Sequence, residues 1–403
     1  MRRVAVTGFG IVSSIGVGAN EVTASLREAR SGVTAAPEYA QMGFRCQVHG
    51  RPQIDWEAMV DRRAARFLAA GTGYAHIAME QAIADAGLAP DEVSDERTGL
   101  VVGSGGPSTR AIVEAADIAR SKGVRRIGPF AVPKAMSSGP SATLSTWFKI
   151  KGINFSITSA CATSTHCIGV AAGEIALGRQ DLMFAGGCEE VDWTLSALFD
   201  AMGAMSSKFN DRPAVASRAY DLDRDGFVIA GGAGVLVLEA LDRARARGAK
   251  VWGEIVGYAA NSDGFDMVQP SGEGAARCMR LALDQAGGRT IDYLNPHGTG
   301  TPIGDLKEMD AVREVFGKAA PLISSTKSLT GHSLGAAGAQ EAIYSLLMMN
   351  NGFVAESAHI ETLDPAFEDL PIVRRRLDRA VDTVMSNSFG FGGTNGCLIL
   401  TRT

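Results

Sequence analysis

Cysteine is scarce in this chain, long apolar runs are absent, and no surplus of positive charge is present. The six cysteines among 403 residues include no C-x-x-C pair, which excludes a disulfide framework and points to a reducing cytoplasm. No stretch approaches the ~18 apolar residues of a membrane span. The opening MRRVAVTGFGIVSSIGVG has the basic residues of a signal peptide. Thr7, Gly8, Gly10, Ser13 and Ser14 interrupt its apolar run, however, so a strand and turn are expected there. A net charge of −5 excludes general affinity for nucleic acid. No linker or low-complexity tract divides the chain, and a soluble protein is expected.

What is abundant is glycine, 48 residues, grouped beside apolar runs as GSGG (103–106), GGAG (231–234) and GFGG (390–393). Such groups mark tight turns and close backbone approach. Strand-like and helix-like segments alternate: RRVAVTG, RTGLVVGSG, INFSITSA, QDLMFAGG and GVLVLEAL read as strands, whereas ANEVTASLREA and THCIGVAAGEIALG read as helices. The pattern predicts an α/β layered protein with sheets covered on both faces. Residues 153–177 and 322–348 repeat one order, a β-like segment, a corner of small residues, then a helix. The first corner carries Cys161 and the second His332. Duplicated halves facing each other would bring these corners together, although one shared pattern leaves duplication open.

Cys161, in SITSACATSTHC, stands where a predicted strand meets a predicted helix. At a helix start, unpaired N–H groups and the dipole favour thiolate, which suits a nucleophile; a buried, space-filling thiol is the alternative. Cys46, Cys188, Cys278 and Cys397 read as core or surface thiols, and Cys167 as packing. His297 (YLNPHGTGTPIGD) and His332 (TKSLTGHSLGAAG) lie in glycine-rich turns that can present an imidazole to a pocket. The spacing of Cys161, His297 and His332 along the chain argues against zinc. The loop SNSFGFGGTNG (386–396) could supply one half of an oxyanion hole from the N–H of Phe391, with the N–H of Cys161 as the other half. The stretch DLDRDGFVIAGG (221–232) begins like an EF-hand, but Gly232 stands where a bidentate Glu is required, so calcium binding is rejected. Two basic clusters, Arg62, Arg63 and Arg66, then Lys122, Arg125 and Arg126, are either solvated faces or a docking patch for an anionic partner.

Taken in order, SACATSTHCIG, GGCEEVDW, FDAMGAMS, YDLDRDGFVIAGG, NPHGTGTPIGD, STKSLTGHSLGAAGAQEAIYSLL and SNSFGFGGTN resemble the β-ketoacyl-acyl carrier protein synthases of bacterial fatty-acid synthesis, most nearly the synthase I type. The resemblance covers essentially the whole chain. It implies a thiolase-like fold of two pseudo-duplicated halves in a five-layer αβαβα arrangement, residues 1–250 with Cys161 and 251–403 with His297 and His332. It implies a homodimer and an acyltransferase that condenses acyl- and malonyl-acyl carrier protein with loss of CO2. Cys161, His297 and His332 would be catalytic, with Lys327 beside His332. Thr299 and Thr301 would bind the pantetheine arm, Asp305 and Glu308 would order the site, Phe391 would gate the acyl pocket, and Leu195, Leu198 and Phe199 would line it.

The same likeness makes Arg62, Arg63, Arg66, Arg125 and Arg126 docking residues for the acidic carrier protein. It requires no cofactor for catalysis, but gives Asn295, Glu341, Ser386 and Asn387 as the surroundings of a structural Na+ or K+. Two positions depart from the synthase I pattern. Gly300 stands where serine is expected, as in polyketide ketosynthases, and Cys188 stands where glycine is more usual. A stand-alone polyketide-type ketosynthase is the rival enzyme. A silent chain-length-factor-like partner is disfavoured because such subunits lack the cysteine.

Overall fold

The computed structural model describes residues 1–403. In the first half, the strands are β1 (Val4–Ser13), β2 (Thr98–Ser104), β3 (Asn154–Phe155), β4 (Leu182–Glu189) and β5 (Gly232–Ala240). The near-continuous apolar runs of β1, β4 and β5 are buried at every position, as expected of strands covered on both faces. Their order in space is β3-β2-β4-β5-β1, with β2 parallel to β3 and β4, and β5 antiparallel to β4 and β1.

The second half repeats this with β6 (Gly253–Ser262), β7 (Tyr293–Asn295), β8 (Leu322–Ile323), β9 (Thr383–Gly390) and β10 (Thr394–Thr401). Their order is β8-β7-β9-β10-β6, with the same parallel and antiparallel senses. The duplication left open by one corner pattern is therefore present in the whole topology. The halves meet where Val4–Val6 of β1 pairs with Gly253–Ile255 of β6.

Seven helices matter for the site: α1 (Ala70–Ala86), α2 (Gly139–Phe148), α3 (Thr163–Ala176), α4 (Trp193–Met202), α5 (Glu273–Gln285), α6 (Pro302–Phe316) and α7 (Ala337–Asn351). Strand residues alternate between faces and so between cores. Leu100, Val102 and Phe184 pack with Ala75, Ala78 and Ala82 of α1 and Leu144 of α2. Val101 and Met183 turn the other way, into a core with Ile168 and Ala171 of α3, Ile343 and Leu347 of α7, and Leu398 of β10. Cys397 and Ile399 face a third core with Cys278 and Met279 of α5 and Val312 of α6. The layers therefore run α1/α2, first half-sheet, α3/α7, second half-sheet, α5/α6.

The expected strand INFSITSA is shorter than its sequence suggests, because only Asn154 and Phe155 join the ladder. Beyond them the hydroxyls of small residues replace it. Ser156 Oγ donates to Val102 O at 2.7 Å, Thr163 Oγ1 accepts from Ser159 N at 2.9 Å, and Thr163 Oγ1 donates to Ala160 O at 2.7 Å.

The central helices approach closely at Gly338 of α7. A Cβ there would sit 2.0 Å from Thr165 Oγ1 and 2.9 Å from the Thr165 backbone N. Thr165 Oγ1 is itself hydrogen-bonded to Ser388 Oγ at 2.8 Å. Alanine normally gains about 1 kcal/mol over glycine inside a helix, whereas overpacking costs ~1–3 kcal/mol. Gly338→Ala should therefore lower the urea unfolding midpoint; a raised midpoint would show that the helices have slack.

Candidate active site

Two corners of the duplicated fold converge. Cys161 lies just before α3 and His332 just before α7. The chain enters the first corner through Ala160, held at φ +48°, a left-handed conformation that non-glycine residues adopt only when their surroundings impose it. At the second corner, His332 N donates to Val228 O at 2.7 Å and Ala230 N donates to His332 O at 2.9 Å. The preceding Gly331 has φ +71°, and a Cβ would lie 2.8 Å from Val228 O, so glycine is required.

His297 arrives from the end of β7. Its N–H and that of Gly298 both donate to Glu308 of α6 at 2.8 Å, which fixes the loop. One ligating atom each of Cys161, His297 and His332 lie within 4.8 Å of one another. The two imidazoles meet edge to face, with centroids 5.2 Å apart.

The electrostatics favour neutral groups. Burial, then the Lys327 ammonium, holds His332 well below its ordinary value; burial, Lys327 and His332 do the same to His297. Both rings are therefore neutral near pH 7. Burial pushes the Cys161 thiol up to about 12, opposed by Lys327 and the thiol's own backbone N–H and reinforced by Glu189 and Glu341. The thiolate preference expected from a helix start is thus outweighed: helix α3 begins at Thr163, beyond Cys161, and burial is the largest cause. Buried Lys327 is paired with Glu341, whose carboxyl burial raises to about 7. Lys327 makes no hydrogen bond to His332 and acts on it through charge.

A cavity of about 400 Å³ opens from the three side chains. Its walls include Phe199, Met202, Thr299, Thr301 and Phe391. Such a space, with one thiol and two neutral imidazoles at its head, can hold an acyl group and polarise a thioester carbonyl.

The Beta-ketoacyl synthase N-terminal domain model matches residues 1–244 and the Beta-ketoacyl synthase C-terminal domain model matches residues 252–361. The chain belongs to the beta-ketoacyl synthase family. It is 56% identical to the 3-oxoacyl-[acyl-carrier-protein] synthase 1 of Escherichia coli (strain K12), over 100% of this chain and 99% of that one. The synthase 2 of Rhizobium meliloti is 41% identical over 100% of this chain and 99% of that one. Among solved structures, a beta-ketoacyl synthase from Burkholderia phymatum superposes with a TM-score of 0.93 at 37% identity, covering 100% of both chains. A type II polyketide synthase acyl-carrier protein in complex with its ketosynthase, bound to the hexaketide, gives 0.90 at 29% identity, covering 100% of this chain and 99% of that one.

The remaining family-derived positions fall as follows. Thr299 and Thr301 line the cavity and hydrogen-bond to each other at 3.1 Å. Asp305 accepts from Gly300 N at 3.1 Å and Tyr220 N at 3.2 Å, so it orders the same loop as Glu308. Gly300 itself has φ +83°, a conformation that suits glycine better than the serine expected there. Phe199 and Phe391 face each other with centroids 6.3 Å apart, and Leu195 is half-buried against the same apolar cluster as Cys161. Leu198 is a correction: it is 61% exposed and outside the cavity lining, because its edge of α4 faces solvent whereas Phe199, the next residue round the helix, turns to the cavity.

All five arginines of the docking set are exposed. Phe67, beside one cluster, packs edge to face on Phe130, near the other, at 5.0 Å, so the clusters share one surface. Asp221 accepts from the backbone N–H groups of Asp223, Glu361 and Thr362, which accounts for the false EF-hand start. Glu341 Oε2, Ser386 Oγ and Asn387 Oδ1 are buried without hydrogen-bond partners, and buried Asn295 is the strand partner of Ser386. Unpaired oxygens of this kind suit a hard cation.

Sequence reasoning missed Glu189. It is buried and accepts from Ser104 Oγ, Gly105 N and Gly335 N, tying the two halves together at 2.9–3.0 Å. It also missed Met202, Met267 and Ile303 of the cavity wall. An acidic pair at the end of an apolar strand, GGCEEVDW, was the available signal for Glu189.

Cys161 is half-buried at the cavity, whereas the other five cysteines are buried. Its iodoacetamide alkylation, located by peptide mass, should rise about tenfold per pH unit from 7 to beyond 9, since the thiol lies near 12. A plateau near pH 7 would contradict the dominance of burial.

Proposed function

We propose that this chain is a 3-oxoacyl-[acyl-carrier-protein] synthase of fatty-acid elongation, an acyltransferase carrying the growing chain on Cys161. The observation that carries this reading is the convergence of one accessible thiol and two neutral imidazoles within 4.8 Å at the head of the cavity.

In the first stage the sulfur of Cys161 attacks the thioester carbonyl of acyl-carrier protein. The oxyanion is held by the N–H groups of Cys161 and Phe391, and the thiol proton leaves with the carrier's pantetheine sulfur. In the second stage malonyl-carrier protein enters, with its arm along Thr299 and Thr301. Neutral His297 and His332 donate from Nε2 to the malonyl thioester oxygen. The C–C bond to the carboxylate breaks, CO2 departs, and the enolate is stabilised without a full positive charge to bury. The carbanion attacks the acyl-Cys161 carbonyl, expels the sulfur as thiolate, which takes up one proton from solvent to restore S–H, and yields a 3-oxoacyl chain two carbons longer. Lys327 positions His332 by charge. Phe391 gates the acyl pocket against Phe199, and Leu195 borders it.

The functional halves in this reading are 1–250, with Cys161, and 251–403, with both histidines. Arg62, Arg63, Arg66, Arg125 and Arg126 form one basic surface for an acidic carrier protein; a related ketosynthase in complex with an acyl-carrier protein supports this partner. A homodimer in the cytoplasm completes the assignment. A Na+ or K+ held by Asn295, Glu341, Ser386 and Asn387 would supply positive charge beside the buried Glu341 carboxylate. Gly300 favours a polyketide-type ketosynthase, but the 56% full-length identity to synthase 1 supports elongation.

Intact-mass measurement after incubation with acyl-carrier proteins should show one acyl adduct on Cys161; absence of that adduct sinks the reading. Cys161→Gln should abolish condensation yet retain malonyl decarboxylation. His297→Ala and His332→Ala should each lower decarboxylation about 10²–10³-fold, as expected when an oxyanion donor is lost.

A further inference from the structure

We propose that Cys161, His297 and His332 also form a reversible site for Zn2+, whose occupancy shuts the condensing site. The sequence spacing argued against zinc, but the fold overrides it: a sulfur and two imidazole nitrogens lie within 4.8 Å of one another. Tetrahedral zinc, with bonds of roughly 2.3 Å to sulfur and 2.0 Å to nitrogen, needs donors about 3.3–3.8 Å apart. The side chains must therefore draw in by about 1 Å.

His297 Nδ1 and both ring nitrogens of His332 are buried without a hydrogen-bond partner. Such orphaned groups are costly, and a metal bond would satisfy one of them. Three protein donors leave the fourth position facing the cavity, where water or a substrate carboxylate can sit.

The charges around the site decide what kind of binding results. Lys327 repels a cation, but it is paired with Glu341, and Glu189 and Glu308 are also close enough to influence the thiol and the His297 loop. On binding, the Cys161 S–H bond breaks, an S–Zn bond forms, and one proton goes to the buffer. Neither imidazole has the outer hydrogen-bond partner that ligating histidines usually have, which weakens a site ~10–100-fold. The metal is thus exchangeable and regulatory, not structural.

Binding can be read without any substrate. The full chain is titrated with Co2+ alone, and thiolate-to-cobalt charge transfer is recorded with the ligand-field bands. One Co2+ per chain with a tetrahedral spectrum is expected. Cys161→Ser should remove the charge-transfer band, His297→Ala and His332→Ala should each weaken binding at least about tenfold, and Zn2+ should displace Co2+. No band, or one indifferent to these three changes, overturns the site.

The inhibitory consequence rests on the condensing role proposed above, so it is measured separately. Zn2+ should suppress condensation, with recovery on chelation. If the cobalt spectrum appears as described but Zn2+ leaves condensation untouched, the blocking claim is overturned. If no acyl adduct forms on Cys161 while the spectrum persists, the condensing role fails and the metal site stands.

Discussion

Everything at the site depends on two helices buried back to back between two half-sheets. Helices α3 and α7 share one core, and Ala339 N of α7 donates to Ser164 Oγ of α3 at 2.9 Å. Each half runs strand, corner, helix, so seating the helices against each other seats the two corners against each other. Cys161 and His332 are neighbours for this reason, although they lie far apart in sequence. Gly338, which allows the approach to Thr165, could not be enlarged without parting the corners. Packing and chemistry are therefore one constraint.

A second consequence is the low polarity around the reacting groups. Ionised side chains in such a place are held by partners or lose their charge. Lys327 is paired with Glu341, Asp305 with backbone N–H groups and Arg224, and Glu308 with the backbone of the His297 loop. Burial raises the carboxyls of Glu189, Asp305 and Glu341 to about 7. These groups thus keep protons that an unfolded chain would shed between pH 4 and 7. The stabilisation they contribute is fullest at the acid side of that window and declines as pH rises through 7. The same burial that holds the histidines neutral thus leaves the carboxylates under-solvated at working pH, a tolerated cost of a site built for uncharged donors.

Much of this was legible in the chain, for identifiable reasons. Apolar strands and glycine-rich corners carry local signals, so the α/β class, the paired corners and the three side chains that converge there could be read. The identical strand order of the two halves was only hinted at, since topology lies in pairings between distant residues. The thiol's protonation was misjudged because a helix start is a local feature, whereas desolvation is set by everything that folds around Cys161. Leu198 was misplaced by a similar step: positions 195, 198 and 199 form one i, i+3, i+4 stripe, but tertiary packing decides which edge of that stripe is left exposed, and Leu198 stands on it. Glu189 went unassigned because its three donors come from residues 104, 105 and 335, which no sequence window joins.

The neutral state of the site has a chemical logic beyond economy of charge. A permanently charged imidazolium would stabilise the substrate's own carboxylate as well as the enolate that follows its loss. Binding both states equally gives affinity without acceleration. A neutral N–H gains most when negative charge develops on the oxygen it faces, which favours the transition state over the ground state. Burial lowers both imidazoles and Lys327 lowers them further, so the one fixed positive charge nearby keeps the donors uncharged while its pairing with Glu341 limits its own pull on substrate. The thiol obeys the same rule: held as S–H until a thioester arrives, it buries no negative charge in the site before the acyl group is loaded.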